Sequence, residues 1–326
     1  MQSILGIDVS KKTLDVVLLK DSSHQHKIFK NEPTGYQQLQ RWLLSSQAGC
    51  VHACLEATGQ YGDGVAEYLY AENHQVSVVN PARIKRYGES KLHRTKTDKA
   101  DAFLIAEFCL KEQPPLWHPL SADIKHLRAL VRHLHDLQTI LNQETNRLSS
   151  GEQDPWVLAD LQSHIKYLRE RIEDTQKAMQ QFISQTSKLK AQLDLLISIP
   201  GIAALTASKL LAEIGDISIF ENAPQLAAYA GLNPRGFRSG SSVHKKSMIS
   251  KQGRPILRQI LYMPAVSAKR HNPVIRTFCA RLKDRDLPNM AIISAAMRKL
   301  LHQVYGVLKN QIPFDPSYGD QFNFGA

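Results

Sequence analysis

Residues 4–19 have the sequence Ile-Leu-Gly-Ile-Asp-Val-Ser-Lys-Lys-Thr-Leu-Asp-Val-Val-Leu-Leu. Two apolar runs rich in β-branched residues flank the polar segment 10–12. This pattern predicts two strands joined by a turn, and residues 26–31 predict a third strand. We therefore expect an antiparallel hairpin or meander at the start of the fold.

The next hundred residues predict helices and strands in alternation. Helical spacing at 36–44, 61–72 and 101–110 is interleaved with short apolar strands at 51–55 and 75–79. Strands followed by alternating helices and strands indicate an α/β sheet. Prolines at positions 114, 115 and 119 then interrupt the chain. We expect a first domain at residues 1–115.

A seven-residue apolar repeat follows this boundary. It runs from Leu127 to Leu148 and again from Leu158 to Met179, the period of a coiled coil. The repeat predicts two long helices in a hairpin at residues 116–195. Each apolar seam is narrow, so packing within the chain and self-association through the hairpin both remain open. Residues 196–326 predict a third domain, helical in outline.

Composition favours a folded protein with a polyanionic partner. The 326 residues include 41 Lys and Arg against 30 Asp and Glu, a net charge of +11. No apolar run approaches the about 18 residues of a membrane span, and the first residues lack an export signal. We expect a cytoplasmic protein with no membrane partner. The four cysteines and thirteen histidines show no zinc-ligand spacing.

The positive charge is concentrated near the C-terminal end. Residues 235–309 contain sixteen Lys and Arg and two acids, a net charge of +14. A shorter basic run lies at 83–99. A solvated helical face is the ordinary explanation of a charge run, but this imbalance favours nucleic-acid binding. The candidate nucleic-acid-binding residues are Arg83, Lys85, Arg86, Arg94, Lys96, Gly201, Arg235, Arg238, Lys245, Lys246, Lys251, Arg254 and Arg258.

Four acids form a candidate metal site. Asp8 lies in the middle of the first predicted strand and Glu56 ends another, while Asp98 and Asp101 are three residues apart at a helix start. A buried carboxylate requires a partner or a cation. Each acid alone has an ordinary explanation, such as a favourable interaction with the helix dipole. Together they predict an Mg²⁺ site for phosphodiester chemistry, since carboxylates suit Mg²⁺ better than zinc.

Two further motifs lie in the C-terminal part. Ile199-Pro-Gly-Ile202 between two predicted helices resembles a helix-hairpin-helix turn that binds phosphate, and an ordinary helix connection is the alternative. Residues 233–246 place three serines among glycines, arginines and lysines. Such a loop suits a serine nucleophile with electrostatic support, or serves as a flexible linker.

Six motifs occur in an order that resembles the DEDD insertion-sequence transposases, which are bridge-RNA-guided serine recombinases. They are GIDVSKKTLD at 6–15, CLEATG at 54–59, KTDKADA at 96–102, IPGI at 199–202, AYAGLNP at 228–234 and SGSS at 239–242. The resemblance covers nearly the whole chain except its tail and the middle of the hairpin.

The resemblance implies a RuvC-like N-terminal domain of RNase H-type fold, a coiled-coil dimerisation segment and a mostly α C-terminal transposase domain. It implies that Asp8, Glu56, Asp98 and Asp101 bind Mg²⁺, and that Ser239 attacks DNA to form a covalent phosphoserine. The implied partners are donor and target DNA, a structured noncoding bridge RNA, and further copies of the chain, in a dimer and in a tetramer on DNA.

Three other functions are compatible with parts of this pattern. A metal-dependent nuclease resembling Holliday-junction resolvases would use the same acids with water as nucleophile. A sugar-kinase or actin-like protein shares the opening motif, but the chain has no GxxxxGK[ST] loop. A nucleic-acid scaffold without enzymatic activity would not depend on Asp8.

Overall fold

A computed structural model of the chain describes residues 3–21, 23–57, 59–91, 97–151, 154–239 and 243–319, with the side chains of 236–247, 318 and 319 left out of the description. The chain divides into two compact units, Met1–Pro119 and Leu120–Ala326. The first unit has two apolar cores and the second has one.

The first unit is built on a five-stranded mixed sheet. Its strands are β1 (Ser3–Val9), β2 (Thr13–Lys20), β3 (Ser23–Lys30), β4 (Val51–Glu56) and β5 (Gln75–Val79). Their order across the sheet is β3-β2-β1-β4-β5. The pairs β1–β2 and β2–β3 are antiparallel, whereas β1–β4 and β4–β5 are parallel. The predicted opening meander and the α/β pattern after it are confirmed.

Helices cover both faces of this sheet. They are α1 (Pro33–Ser45), α2 (Asp63–Ala71), α3 (Pro81–Ser90) and α4 (Asp98–Glu112). Leu5, Ile7 and Val9 of β1 belong to the core formed with α1 and α2. Ile4, on the opposite face of the same strand, belongs to the core formed with α4. Because side chains alternate along a strand, Gly6 and Asp8 also lie on the α4 face.

The second unit is mostly helical. Its elements are α5 (Ala122–Ser149), α6 (Pro155–Gln185), α7 (Ser187–Ile197), α8 (Ala204–Ile214), α9 (Ala223–Tyr229), β6 (Pro234–Ser239), β7 (Val243–Ile249), α10 (Pro255–His271), α11 (Pro273–Lys283) and α12 (Asn289–Asn310). One core joins α5 and α6 to the C-terminal helices. The helical outline is confirmed, but β6 and β7 pair as an antiparallel hairpin where the sequence pattern predicts a loop.

The two long predicted helices are present as α5 and α6, which pack against each other. The seam residues Leu127 and Leu134 of α5 and Met179 of α6 are buried in the main core of the unit. Leu161 and Leu168 of α6 are buried as well. That the pair forms a coiled coil stays a prediction. In the part of the chain that the structure describes, none of the helices combines the length and apolarity needed to cross a membrane.

Gly6 sets the distance between α4 and the sheet. A Cβ atom at this position would overlap the carbonyl oxygen of Ala102 and the backbone nitrogen of Ala106 in α4. We expect Gly6→Ala to force the helix away from β1 and to destabilise the protein by about 1–3 kcal/mol. The measurement is the thermal unfolding midpoint by circular dichroism.

The matched control is Gly306→Ala in α12, where nothing lies within 4 Å of an added Cβ. Alanine is the better helix former, so this midpoint should stay the same or rise. Equal midpoints for wild type and Gly6→Ala would contradict the tight contact.

Candidate functional site

The strand register brings Asp8 and Glu56 together. Ile7 pairs with Leu55 across the parallel strands β1 and β4, so Asp8 and Glu56 follow at neighbouring positions. Cys54, two residues before Glu56, belongs to the core beneath α4. Both carboxylates therefore lie on the α4 face, at the carboxyl ends of two adjacent parallel strands.

The first turn of α4 supplies the other two acids. The Thr97 side chain caps the helix by accepting a hydrogen bond from the Ala100 backbone N–H at 3.2 Å. Asp98 and Asp101 follow in the first turn. Gly6 of β1 packs against Ala102 and Ala106 of α4. Asp98 and Asp101 precede these alanines in the helix, and Asp8 follows Gly6 by two residues in the strand. The N-terminal end of α4 therefore lies beside Asp8.

The pKa values show that these carboxylates interact. Burial, then the charges of Asp101, Asp98 and Asp15, raise the pKa of Asp8 to about 6. Burial, then the charges of Asp8 and Asp101, raise the pKa of Glu56 to about 6. The structure thus brings together the four acids predicted from sequence as one electrostatic group.

This acid group offers only carboxylate oxygens, the ligand type that hard divalent cations prefer. Among the described residues, no three His, Cys, Asp or Glu side chains are arranged closely enough to ligate one ion. Like-charged carboxylates repel one another. A bound cation would remove that repulsion, so the donor set fits a divalent metal ion in chemistry and in charge.

Asp15 is a fifth acid at this site and is not one of the four predicted from the sequence. It is opposite Asp8 in the β1–β2 register and is buried. Its Oδ1 atom lies 2.9 Å from Nε2 of His26 in β3. The signal in the sequence is the symmetrical placement of the two aspartates about the turn between the strands.

Basic residues on α3 belong to the same unit as the acids. Arg83, Lys85 and Arg86 are exposed on this helix. The Arg83 guanidinium lies 5.3 Å from the centre of the Phe108 ring of α4. Arg94 and Lys96 lie outside the described residues.

Ser239 is the last residue of β6 and pairs with Val243 at the start of β7. Arg238 pairs with His244, and Lys245 with Phe237, in the same hairpin, which also contains Lys246. The side chains of these residues lie outside the description. Ser239 belongs to the second unit and the four acids to the first. Their approach to one another stays a prediction.

Gly201 connects α7 to α8 with a positive φ of 104°. A Cβ at this position would lie 2.8 Å from Cβ of Ala268 in α10. The Asn272 side chain donates a hydrogen bond to the Pro200 carbonyl oxygen at 3.4 Å. The turn is therefore fixed against α10, and its phosphate binding stays a prediction.

The remaining candidate basic residues surround the base of the hairpin. Arg235 and Lys251 are exposed. Arg258 Nη1 donates to the Ala230 carbonyl oxygen at 2.8 Å, which ties α10 to the end of α9. Arg254 Nη1 lies 3.2 Å from Oε2 of Glu213. Arg254 and Arg258 thus have intramolecular partners, which the sequence could not indicate.

Comparisons with known proteins cover nearly the whole chain. A DEDD-type transposase family model matches residues 5–151, and the model described as "Transposase IS116/IS110/IS902 family" matches residues 193–280. A pilin gene-inverting protein of Moraxella bovis is 36% identical, covering 96% of this chain and 98% of the relative. The transposase for insertion sequence element IS1111A of Coxiella burnetii is 24% identical, covering 82% and 78%.

One solved structure also aligns with the chain. It is described as T. thermophilus RuvC in complex with Holliday junction substrate, with a TM-score of 0.28 and 12% identity, covering 34% of this chain and 96% of that chain.

The raised pKa values give a prediction about stability. A carboxyl group whose pKa rises from 3.8 to about 6 on folding favours the fold at low pH, and this contribution is lost as the pH rises through that range. Asp8→Asn removes the buried charge. In EDTA at pH 7 the variant should unfold about 2–4 °C above wild type, and the difference should vanish near pH 4.

Asp160→Asn is the control for this measurement, because Asp160 is exposed on α6. Its midpoint should follow the wild-type curve at each pH. A lower midpoint for Asp8→Asn than for wild type at pH 7 would contradict the prediction that the buried Asp8 charge destabilises the fold.

Proposed function

The chain belongs to the IS110 family of transposases, enzymes that cut and rejoin DNA, and from that premise we propose a site-specific serine recombination reaction. In this reaction Ser239 attacks a DNA phosphodiester, the acid group would hold Mg²⁺ in support of that step, and a bridge RNA selects the DNA sites. The observation that carries the proposal is the placement of Asp8 and Glu56 at adjacent strand ends beside the first turn of α4, where the charges of Asp98 and Asp101 act on Asp8 and that of Asp101 acts on Glu56.

We assign the first unit an RNase H-like, RuvC-like fold. The strand order β3-β2-β1-β4-β5, with three antiparallel strands followed by two parallel ones, supports this assignment. The position of α4 on the face of β1 that carries Asp8 supports it as well. In this arrangement the acids come from two strand ends and one helix start.

Asp8, Glu56, Asp98 and Asp101 are the residues that would hold Mg²⁺. When bound, the ion would supply positive charge for the phosphoryl group that is transferred. The chain's own contribution is the placement of four carboxylates by the sheet register and by the Thr97 cap. Raised pKa values of Asp8 and Glu56 indicate that a cation is favoured here.

Ser239 is the proposed nucleophile. Its hydroxyl oxygen forms a bond to phosphorus while a base takes the serine proton, and the bond from phosphorus to a deoxyribose oxygen breaks as that oxygen takes up a proton. The result is a phosphoserine and a free deoxyribose hydroxyl, so the phosphodiester energy is kept for rejoining. The hairpin that carries Ser239 is anchored at its base, where Ser250 N–H donates to the Asn233 carbonyl oxygen at 2.8 Å.

The basic residues of 235–309 and of α3 would hold the backbones of DNA and of the bridge RNA. Base pairing between RNA and DNA would then select the sequence, while the protein recognises backbone and shape. The similar Moraxella protein is named for gene inversion. Cutting and rejoining at two sites is the chemistry that inversion and transposition share.

We propose that residues 116–195 mediate dimerisation and that a tetramer assembles on DNA. Large apolar side chains on this segment are exposed, among them Trp156 at 76% and Tyr167 at 57%. A partner helix would cover them. Residues 1–115 and 196–326 would act as the metal-binding and serine-bearing domains.

The covalent intermediate gives a direct test. Protein incubated with labelled donor and target DNA, bridge RNA and Mg²⁺ should yield a protein–DNA adduct on a denaturing gel. Ser239→Ala should abolish the adduct, because alanine has no hydroxyl group. Asp8→Asn should reduce it by about 10²-fold or more, the usual effect of removing a group that supports transition-state charge.

Ser242→Ala is the matched control, since it removes a hydroxyl group from the same short segment. It should form the adduct. DNA cleavage without any adduct, equal in wild type and Ser239→Ala, would refute the serine mechanism and favour the nuclease that uses water.

A further inference from the structure

Glu213 of α8 has a fully buried carboxylate, at 0% exposure. A charge removed from water needs direct compensation. Arg132 Nε of α5 lies 3.4 Å from Oε1, and Arg254 Nη1 at the start of α10 lies 3.2 Å from Oε2. Each carboxylate oxygen therefore has its own arginine, one from α5 and the other from the residue that precedes α10.

A third arginine joins this group. Arg128 Nε donates to the Ala212 carbonyl oxygen at 2.8 Å, and its Nη2 donates to the Glu213 carbonyl oxygen at 3.4 Å. Burial, then the charge of Arg254, lowers the pKa of Arg128. Three guanidinium groups thus lie around Glu213, two on its carboxylate and one on its backbone carbonyl, and the one negative charge of Glu213 compensates only one of the three positive charges.

Arg132 and Arg254 reach solvent from this buried contact. Their side chains are 41% and 37% exposed. A guanidinium carries five N–H donors, and each of these arginines directs one at Glu213. Arg254 also lies over the Tyr229 ring, 5.0 Å from its centre. The two side chains are therefore fixed on the inside, with donors left for an anion on the outside.

We propose that Arg132 and Arg254 bind one phosphodiester group of a nucleic acid, and that Glu213 positions both guanidinium groups for it. Planar guanidinium groups match the paired oxygens of a phosphate. A phosphate at this site would supply the negative charge that Glu213 alone does not. The site rests on the proposed function, since that function supplies the nucleic acid.

The location of the site links it to the serine hairpin. The Arg254 N–H donates to the Tyr229 carbonyl oxygen at 2.9 Å, and the Lys251 N–H donates to the Gly231 carbonyl oxygen at 3.1 Å. These bonds hold the base of the hairpin whose other end carries Ser239. A nucleic-acid strand bound by Arg132 and Arg254 would therefore contact Arg254, the residue whose backbone also fixes the base of this hairpin.

The test is equilibrium binding of a short labelled DNA duplex in EDTA over a series of salt concentrations. Each phosphate contact contributes about 0.9 to the slope of log K against log salt. Arg132→Gln should make the slope shallower by about one and weaken binding at low salt by roughly tenfold.

Arg171→Gln is the matched control. Arg171 of α6 also pairs with a carboxylate, Asp174 at 3.1 Å, but both side chains are about half exposed (47% and 52%). The Arg171→Gln variant removes the same charge as Arg132→Gln and should keep the wild-type salt slope. If Arg132→Gln and Arg171→Gln weakened binding and the salt slope equally, the effect would come from net charge alone. That result would overturn the proposed site.

Arg132→Gln leaves Glu213 with one fewer partner, which could impair folding. The double variant Glu213→Gln, Arg132→Gln avoids this and should show the same shallower slope. The same series on an RNA duplex identifies the source of the phosphate: a loss on DNA alone assigns the recombining strand, and a loss on RNA alone assigns the guide.

Wild-type slopes on both nucleic acids for the single and the double variant would overturn the proposal. Failure of the proposed recombination would look different: wild-type protein would form no serine adduct, yet it would still bind the duplexes with the slope that Arg132→Gln reduces.

Discussion

The contact between α4 and β1 at Gly6 is the constraint on which the acid group depends. A glycine allows the helix backbone to approach the strand, where any side chain would meet Ala102 and Ala106. That approach brings the first turn of α4, with Asp98 and Asp101, to the strand position of Asp8. The sheet register then adds Glu56 from the parallel neighbour. The four acids span 94 positions of the sequence, from Asp8 to Asp101, and they form one group because Gly6 has no side chain.

Much of the first unit could be predicted from its sequence. The strands around Asp8 and Glu56 follow from apolar runs with clear ends, and helical spacing locates most of α4. The helix begins at Asp98, three residues before the predicted start, because Thr97 provides the cap. The buried Asp15–His26 pair could not be predicted, since it depends on the register between β2 and β3.

The second unit shows where sequence patterns are weaker. The hairpin of β6 and β7 has few alternating apolar residues, so glycines and serines favoured a loop over strands. Arg254 and Arg258 looked alike in the sequence, as members of a basic tract. Tertiary contacts give Arg258 a backbone carbonyl partner and Arg254 a buried carboxylate. Only the fold separates a structural arginine from one that also has donors facing solvent.

The helices α5 and α6 pack against the core of the second unit along only part of their lengths. At the end of the pair away from the turn between them, Leu127 and Leu134 of α5 and Met179 of α6 pack into the core of the second unit. Towards the turn, Leu161 and Ile165 are buried where the two helices pack against each other. Amide hydrogens near residues 127–134 of α5 should therefore exchange with solvent only through global opening, whereas those near residues 141–149 of the same helix exchange through local fraying. A gradient of protection along one continuous helix is the dynamic signature of this arrangement.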